Sequence, residues 1–191
     1  MPSTRRQPLT STIADFDAFT ASQVDTAEFE LVDGSIEMMS NPTETHEQIA
    51  GNIGAPLKLA MDQRGCRCYQ GGIRVQRSDD IRETDKTRPD VVVRCGPVSK
   101  GTYINDPVVI VEVLSPSTID KDRGPKLAFY KSLATVRHIA LVYQDQMRVE
   151  HYRRTDSGFE FEALTTAASQ LRFDAVEFSL PLETVYFGVE L

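Results

Sequence analysis

The sequence predicts an α/β (α+β) fold, a mixed central β-sheet flanked by helices, and three observations carry that prediction. Two segments, RPDVVVRC (88–95) and DPVVIVEVLS (106–115), hold continuous β-branched runs, as expected of central strands covered on both faces. Between residues 44 and 63 the apolar positions Ile49, Ile53, Leu57 and Ala60 recur at spacings of four, four and three, the stripe of an amphipathic helix. The resulting order of helix, three strands, helix and strand is that of a sheet with helices packed on it.

Each element has a local cause. Residues 12–22 predict a short helix with Ile13, Phe16 and Phe19 three apart. FELVDGSIEMMS (29–40) reads as an N-terminal β-hairpin, because Asp33-Gly34 suits the positive φ of a tight turn. Asn41-Pro42-Thr43 breaks the chain and caps the helix over 44–63. RCYQGGIRVQR (67–77) predicts a strand interrupted at Gly71-Gly72. SPSTIDKDRGPK gives a turn and then a helix over 122–133, starting near Arg123 or Gly124 because Pro125 is tolerated in a first turn. RHIALVYQ (137–144) and RVEHYRR (148–154) predict a hairpin, and strands at 159–164 and 170–173 precede a tail, LPLETVYFGVEL.

Composition bounds the function. A chain of 191 residues is long enough for one full core, and no linker or repeat divides it, so a single domain over 1–191 is expected. The net charge is 21 − 28 = −7, with a pI near 5.0. That balance argues against gripping nucleic acid through a broad basic surface, but not against a nuclease, since a bound metal reverses the local field. No apolar run reaches the roughly 18 residues of a membrane span, and the start MPSTRRQPLTSTIADFDAF has no apolar stretch behind its arginines, so no membrane partner and a cytoplasmic location are expected. Cys66, Cys68 and Cys95, with His46, His138 and His151, do not complete paired zinc-ligand clusters, and the cysteines are expected to be buried reduced thiols.

Chemistry is concentrated where acids interrupt apolar runs. Asp90 stands directly before Val91-Val92-Val93, and Glu112 lies inside VVIVEVL. A buried carboxylate is normally neutralised, paired or bound to metal. Two adjacent strands can bring two such acids together, where a cation must separate the charges or one acid must hold a proton. Hard oxygen ligands suit Mg²⁺ or Mn²⁺. After Glu112, Ser115-Pro116-Ser117 ends the strand, and Asp122, Lys126 and Tyr130 follow at spacing of four, on one helix face. A plain Asp122–Lys126 ion pair accounts for that spacing alone. Placed after a strand carrying Glu112, the same face can lean over a metal site, with Lys126 orienting water or stabilising charge on phosphate and Tyr130 donating a hydrogen bond.

FELVDGSIEMMS, His46 in the first long helix, RPDVVV, VVIVEVLSPST and DRGPKLAFY together resemble the Uma family of restriction-endonuclease-like proteins, in the PD-(D/E)XK nuclease superfamily. With the RHIALVY hairpin the resemblance spans about 28–187, leaving 1–27 as a helical N-terminal extension. It implies the restriction-endonuclease-like core, with Asp90 as the motif aspartate and Glu112 as the motif glutamate. The superfamily lysine falls two residues after that glutamate, where this chain has Leu114, and the resemblance points instead to Lys126 on the next helix. It favours His46 as facing the site, with Glu30 beside it, although a His46–Glu47 surface pair near a helix N-terminus fits equally.

The reaction implied is phosphodiester hydrolysis, with Mg²⁺ (or Mn²⁺) held by Asp90, Glu112 and the carbonyl oxygen of Val113, and Lys126 aligning the attacking water. DNA is the implied transient partner. A homodimer is expected, because cutting both strands takes two sites. Two further readings stand beside it: a catalytically silent interaction module on the same fold, and a metal-dependent hydrolase of another phosphate ester.

Overall fold

The structure, a computed structural model, describes residues 10–23, 27–98, 100–115 and 119–191. Pro116 and Ser117 of the predicted strand ending lie outside the described residues, as does much of the 1–27 extension. The architecture is α+β, with a central mixed sheet flanked by helices, as the sequence predicts. Helix α1 (Ile13–Ser22) opens on a capping box, in which Thr12 and Asp15 satisfy each other's backbone N–H. Strands β1 (Phe29–Val32) and β2 (Ser35–Met38) form the predicted hairpin, with Asp33 and Gly34 at φ 48° and 74°. Ile13, Phe16 and Leu31 close a small core between that hairpin and α1.

Helix α2 (Glu44–Asp62) starts at Thr43, whose hydroxyl accepts the His46 N–H. The predicted strand over 67–77 is two strands. Positive φ at Gly71 and Gly72 separates β3 (Arg67–Gln70) from β4 (Arg74–Val75), which pairs in parallel with β6 (Tyr103–Ile104). The main sheet runs β10-β9-β8-β7-β5-β3, comprising β5 (Val91–Arg94), β7 (Pro107–Leu114), β8 (His138–Tyr143), β9 (Val149–Thr155), β10 (Gly158–Leu164) and β3. All its neighbours are antiparallel except β7 and β8. Alternation sorts β7 cleanly: Val109, Val111 and Val113 join the core under α2, and Ile110 and Leu114 join the core on the opposite face.

The β7–β8 crossover adds a short helical turn ahead of the expected helix. A short turn, α3 (Ile119–Lys121), begins where the Ile119 N–H bonds the Ser115 carbonyl; a kinked segment with wide, π-type spacing (Asp122–Lys126, the π turn) separates it from α4 (Leu127–Ser132). Two helical pieces therefore meet at Gly124, and the second begins after it with Pro125 in its first turn, near the expected start. Gly124 leaves helical geometry at φ −99°, ψ −107°, and Pro125 has no N–H to continue the ladder. The tail also gains structure, since β12 (Phe178–Pro181) pairs with β11 (Gln170–Phe173) and leads into α5 (Leu182–Val185).

The cysteines differ from expectation. Cys66 and Cys95 form a disulfide, and among the described residues Cys68 alone is a free, buried thiol. Pairing of Arg67 with Arg94 in the β3–β5 ladder sets the preceding and following residues opposite each other, a neighbourhood visible only once those strands are paired. Among the described residues no helix is long and apolar enough to cross a membrane.

Candidate functional site

The site lies at the carboxyl end of β7, where the sheet, the N-terminal hairpin, α2 and the π turn meet. Val91 pairs with Val111, so Asp90 and Glu112 occupy the next opposed positions at the end of the ladder. Asp90 is fixed at both oxygens: Oδ1 lies 3.0 Å from Nε2 of His46, and Oδ2 accepts the Val113 N–H at 2.7 Å. Burial lowers the His46 pKa, but the hydrogen bond and charge of Asp90, with Glu47 and Asp122 behind it, outweigh that and raise it overall. Val113 thus meets Asp90 through its N–H.

Lys126 sits where three carboxylates converge, with Nζ 2.9 Å from Glu112 Oε1, 3.1 Å from Asp122 Oδ1 and 3.3 Å from Glu30 Oε2. All four side chains are 4–5% exposed. Tyr130 donates to the same Glu112 oxygen at 2.5 Å. The residues predicted at spacing of four do converge, although the first two lie on the π turn and only Tyr130 on α4. Burial pushes the Glu112 carboxyl well above its ordinary pKa; Lys126 opposes that shift, and the charges of Asp90, Asp122 and Glu30 reinforce it. Burial also works against the Lys126 ammonium, yet Glu112 and its neighbours raise it well above the usual lysine value. The Tyr130 phenol is raised by burial and by the Glu112 charge.

A cleft of about 1230 Å³ opens over this cluster, and Ser115, Arg88, Thr43 and Gln144 line it with the residues above. Seven acids line it (Glu28, Glu30, Glu37, Glu47, Asp90, Glu112, Asp122) against two bases, Arg88 and Lys126. Glu30, Glu112 and Asp122 surround the Lys126 ammonium, and Asp90 beside them pairs with His46, so four carboxyl groups crowd this end of the cleft. That surplus of hard oxygen donors fits a divalent cation. Among the described residues no three acidic, histidine or cysteine side chains are grouped so as to hold a metal ion by themselves. Sequence reasoning missed Arg88 and Gln144. Neither interrupts an apolar run, and only the folding of Asn41-Pro42-Thr43 against the end of β8, where Thr43 bonds Gln144, brings Gln144 to the cleft.

Comparison with known proteins bears on this cleft. A family model described as "Uma2: Putative restriction endonuclease" matches residues 13–183. Two uncharacterized proteins of Synechocystis sp. (strain ATCC 27184 / PCC 6803 / Kazusa) are similar in sequence. One, slr1290, is 26% identical over 162 residues, covering 84% of each chain. The other, sll1609, is 25% identical over 134 residues, covering 68% of this chain and 73% of its own. A crystal structure from Anabaena variabilis ATCC 29413, described as "a putative nuclease belonging to DUF820", superposes with a TM-score of 0.71 at 18% identity, covering 91% of this chain and 96% of the other. It shares the fold.

Proposed function

The chain belongs to the Uma2 restriction-endonuclease family, and on that premise we propose that it is a metal-dependent endonuclease hydrolysing phosphodiester bonds in DNA at this cleft. The observation that carries the reading is the meeting of Asp90 and Glu112 at one end of the sheet with Lys126 on the Glu112 carboxylate. Asp90, Glu112 and the Val113 carbonyl would hold Mg²⁺ or Mn²⁺, which when bound supplies Lewis-acid polarisation of phosphate and a water of lowered pKa.

The chain's own residues do the rest. His46 and the Val113 N–H fix the Asp90 carboxylate in one orientation. Tyr130 and Lys126 orient Glu112 through Oε1. Lys126 is the cation available to align water and to stabilise negative charge growing on a phosphate in the cleft. Asp122 and Glu30 keep that ammonium protonated and in place. Ser115 lines the mouth. Cleavage of both strands takes two such sites, so a two-fold dimer is the proposed working unit, checked by light scattering of the eluting protein.

The test compares Asp90→Asn and Glu112→Gln with the unaltered chain on duplex DNA, RNA and nucleotides, each with Mg²⁺ or Mn²⁺. Loss of metal-dependent DNA cleavage in both variants, with folding retained, is the expected result. Full activity in either variant refutes the site. Turnover of nucleotides alone transfers the activity to another phosphate ester. Calorimetric titration showing no cation site dependent on Asp90 leaves a silent module.

A further inference from the structure

A second polar cluster sits two strands from Glu112 on the same face of the sheet. Glu112 pairs with Leu141, and Leu141 pairs with Glu150, so the three form a row across β7, β8 and β9. At the usual strand spacing Glu150 is roughly 10 Å from Glu112. Its side chain is fully buried and takes four donors. Oε1 accepts from Tyr143 and Arg148, each at 3.0 Å, and Oε2 accepts from Arg123 Nε at 3.1 Å and Tyr152 at 3.3 Å. One π turn therefore reaches both ends of the row, with Lys126 on Glu112 and Arg123 on Glu150.

An ion pair alone does not account for this cluster. Two guanidiniums share one carboxylate, leaving 2 − 1 = +1. Both remain open to solvent, with the Arg123 side chain 49% and Arg148 34% exposed. Arg123 commits Nε to Glu150, and Arg148 commits one terminal nitrogen while stacking over the Tyr143 ring; its buried Nε has no hydrogen-bond partner. Each guanidinium is thus anchored to Glu150 through one nitrogen, with donors left over. Planar forks of this kind match phosphate oxygens. The cluster also adjoins the cleft: Gln144, next to Tyr143, lines it and is bonded to Thr43. It stands off the carboxyl ends of the two parallel strands, where open sheets bind ligands.

We propose that Arg123 and Arg148, presented by Glu150, Tyr143 and Tyr152, form a phosphate-binding patch that receives the backbone of the duplex DNA cut at the cleft. It supplies the anchoring cations that a cleft lined by seven acids and two bases lacks. The DNA identity of the ligand rests on the nuclease reading above; the paired guanidiniums do not.

Binding is measured by fluorescence anisotropy on a labelled duplex between about 50 and 200 mM salt, in the Glu112→Gln background so that cleavage plays no part. Arg123→Gln with Arg148→Gln removes two phosphate contacts. The salt slope should fall by about 1.8, roughly 0.9 per contact, so the parent loses about tenfold more affinity than the variant across that range. Arg123→Gln/Arg148→Gln/Glu150→Gln should bind as weakly, without stranding a buried carboxylate, which keeps the test valid if the double variant fails to fold. Arg153→Gln/Arg172→Gln makes the same change in net charge around the separate pocket beside His151 and should keep the parental slope. An unchanged slope in the patch variants, an equal fall in the control, or no duplex binding by the parent overturns the patch. Retained cleavage by Glu112→Gln instead overturns the nuclease site and leaves the binding result standing.

Discussion

Replacing Lys126 with methionine isolates what the central ammonium does for the fold. The side chain is 4% exposed and is the cation within 3.3 Å of Glu30, Glu112 and Asp122. At an effective dielectric near 20, each contact at about 3 Å is worth roughly 5 kcal/mol of gross attraction. Most of that is offset by the desolvation of the ammonium and the mutual repulsion of the acids it separates. Removing one partner of a buried pair typically costs about 3–5 kcal/mol, and three carboxyl groups losing a shared ammonium place this site at the upper end. For a chain of this length that is a fall in Tm of roughly 10–15 °C. Urea unfolding at pH 7 measures it. Lys126→Met/Glu112→Gln removes a carboxylate along with the ammonium and should cost at least about 1 kcal/mol less than the two single losses added together. A single-variant loss below about 1 kcal/mol, or strict additivity, would refute the claim that Lys126 is the shared counterion of this cleft.

The stacked His138 and His151 give the acid limb of stability. Their rings are 3.1 Å apart at Nδ1 and Nε2, and burial lowers both pKa values to about 4, with the His138 charge adding to the effect at His151. A depressed folded pKa gives stability that is present above about 6.5 and lost as pH falls toward 4, up to about 1.4 kcal/mol per pH unit for each histidine. His151→Gln should flatten that slope in urea titrations, and an unchanged slope rejects the assignment. Reducing Cys66–Cys95, which closes a loop of 29 residues, should cost about 3.5 kcal/mol by the chain-entropy relation. Thermal melts with and without dithiothreitol check it, using Cys66→Ala as the reductant-insensitive reference.

Much of this fold was readable because local and tertiary preferences agree. The Asp33-Gly34 hairpin, the Thr43 cap and the β-branched runs of β5 and β7 each carry their own cause and fold as read. The acids Asp90 and Glu112 stood out because charge inside an apolar run is costly, and they do lie opposite each other. What stayed hidden depends on strand order. The cysteine pair follows from the β3–β5 register, and Glu150 looked like one polar residue of an ordinary hairpin until Arg123 crossed the row to meet it. Pro125 does sit in a first helical turn, as read, but the short helical turn at Ile119–Lys121 ahead of the Gly124 kink carried no sequence signal of its own.

That kink explains how a chain with leucine at the usual lysine position can still bring an ammonium to Glu112. Strand alternation puts Leu114 on the same face as Glu112, so a lysine there would approach the carboxylate from along β7. Leu114 instead packs against the core that holds Leu127, Phe129 and Tyr130, anchoring α4 to the sheet. Tyr130 in that anchored helix reaches Glu112, and the wide turn before it delivers Lys126 to the same oxygen. Apolar packing at 114 and charge delivery from 126 are therefore two parts of one arrangement. Restoring lysine at 114 would place a second ammonium in an apolar cluster while loosening the helix that positions the first. Under the nuclease reading proposed above, the crossover supplies from 126 the ammonium that the simple motif places at 114, and a change at either position should disturb the other.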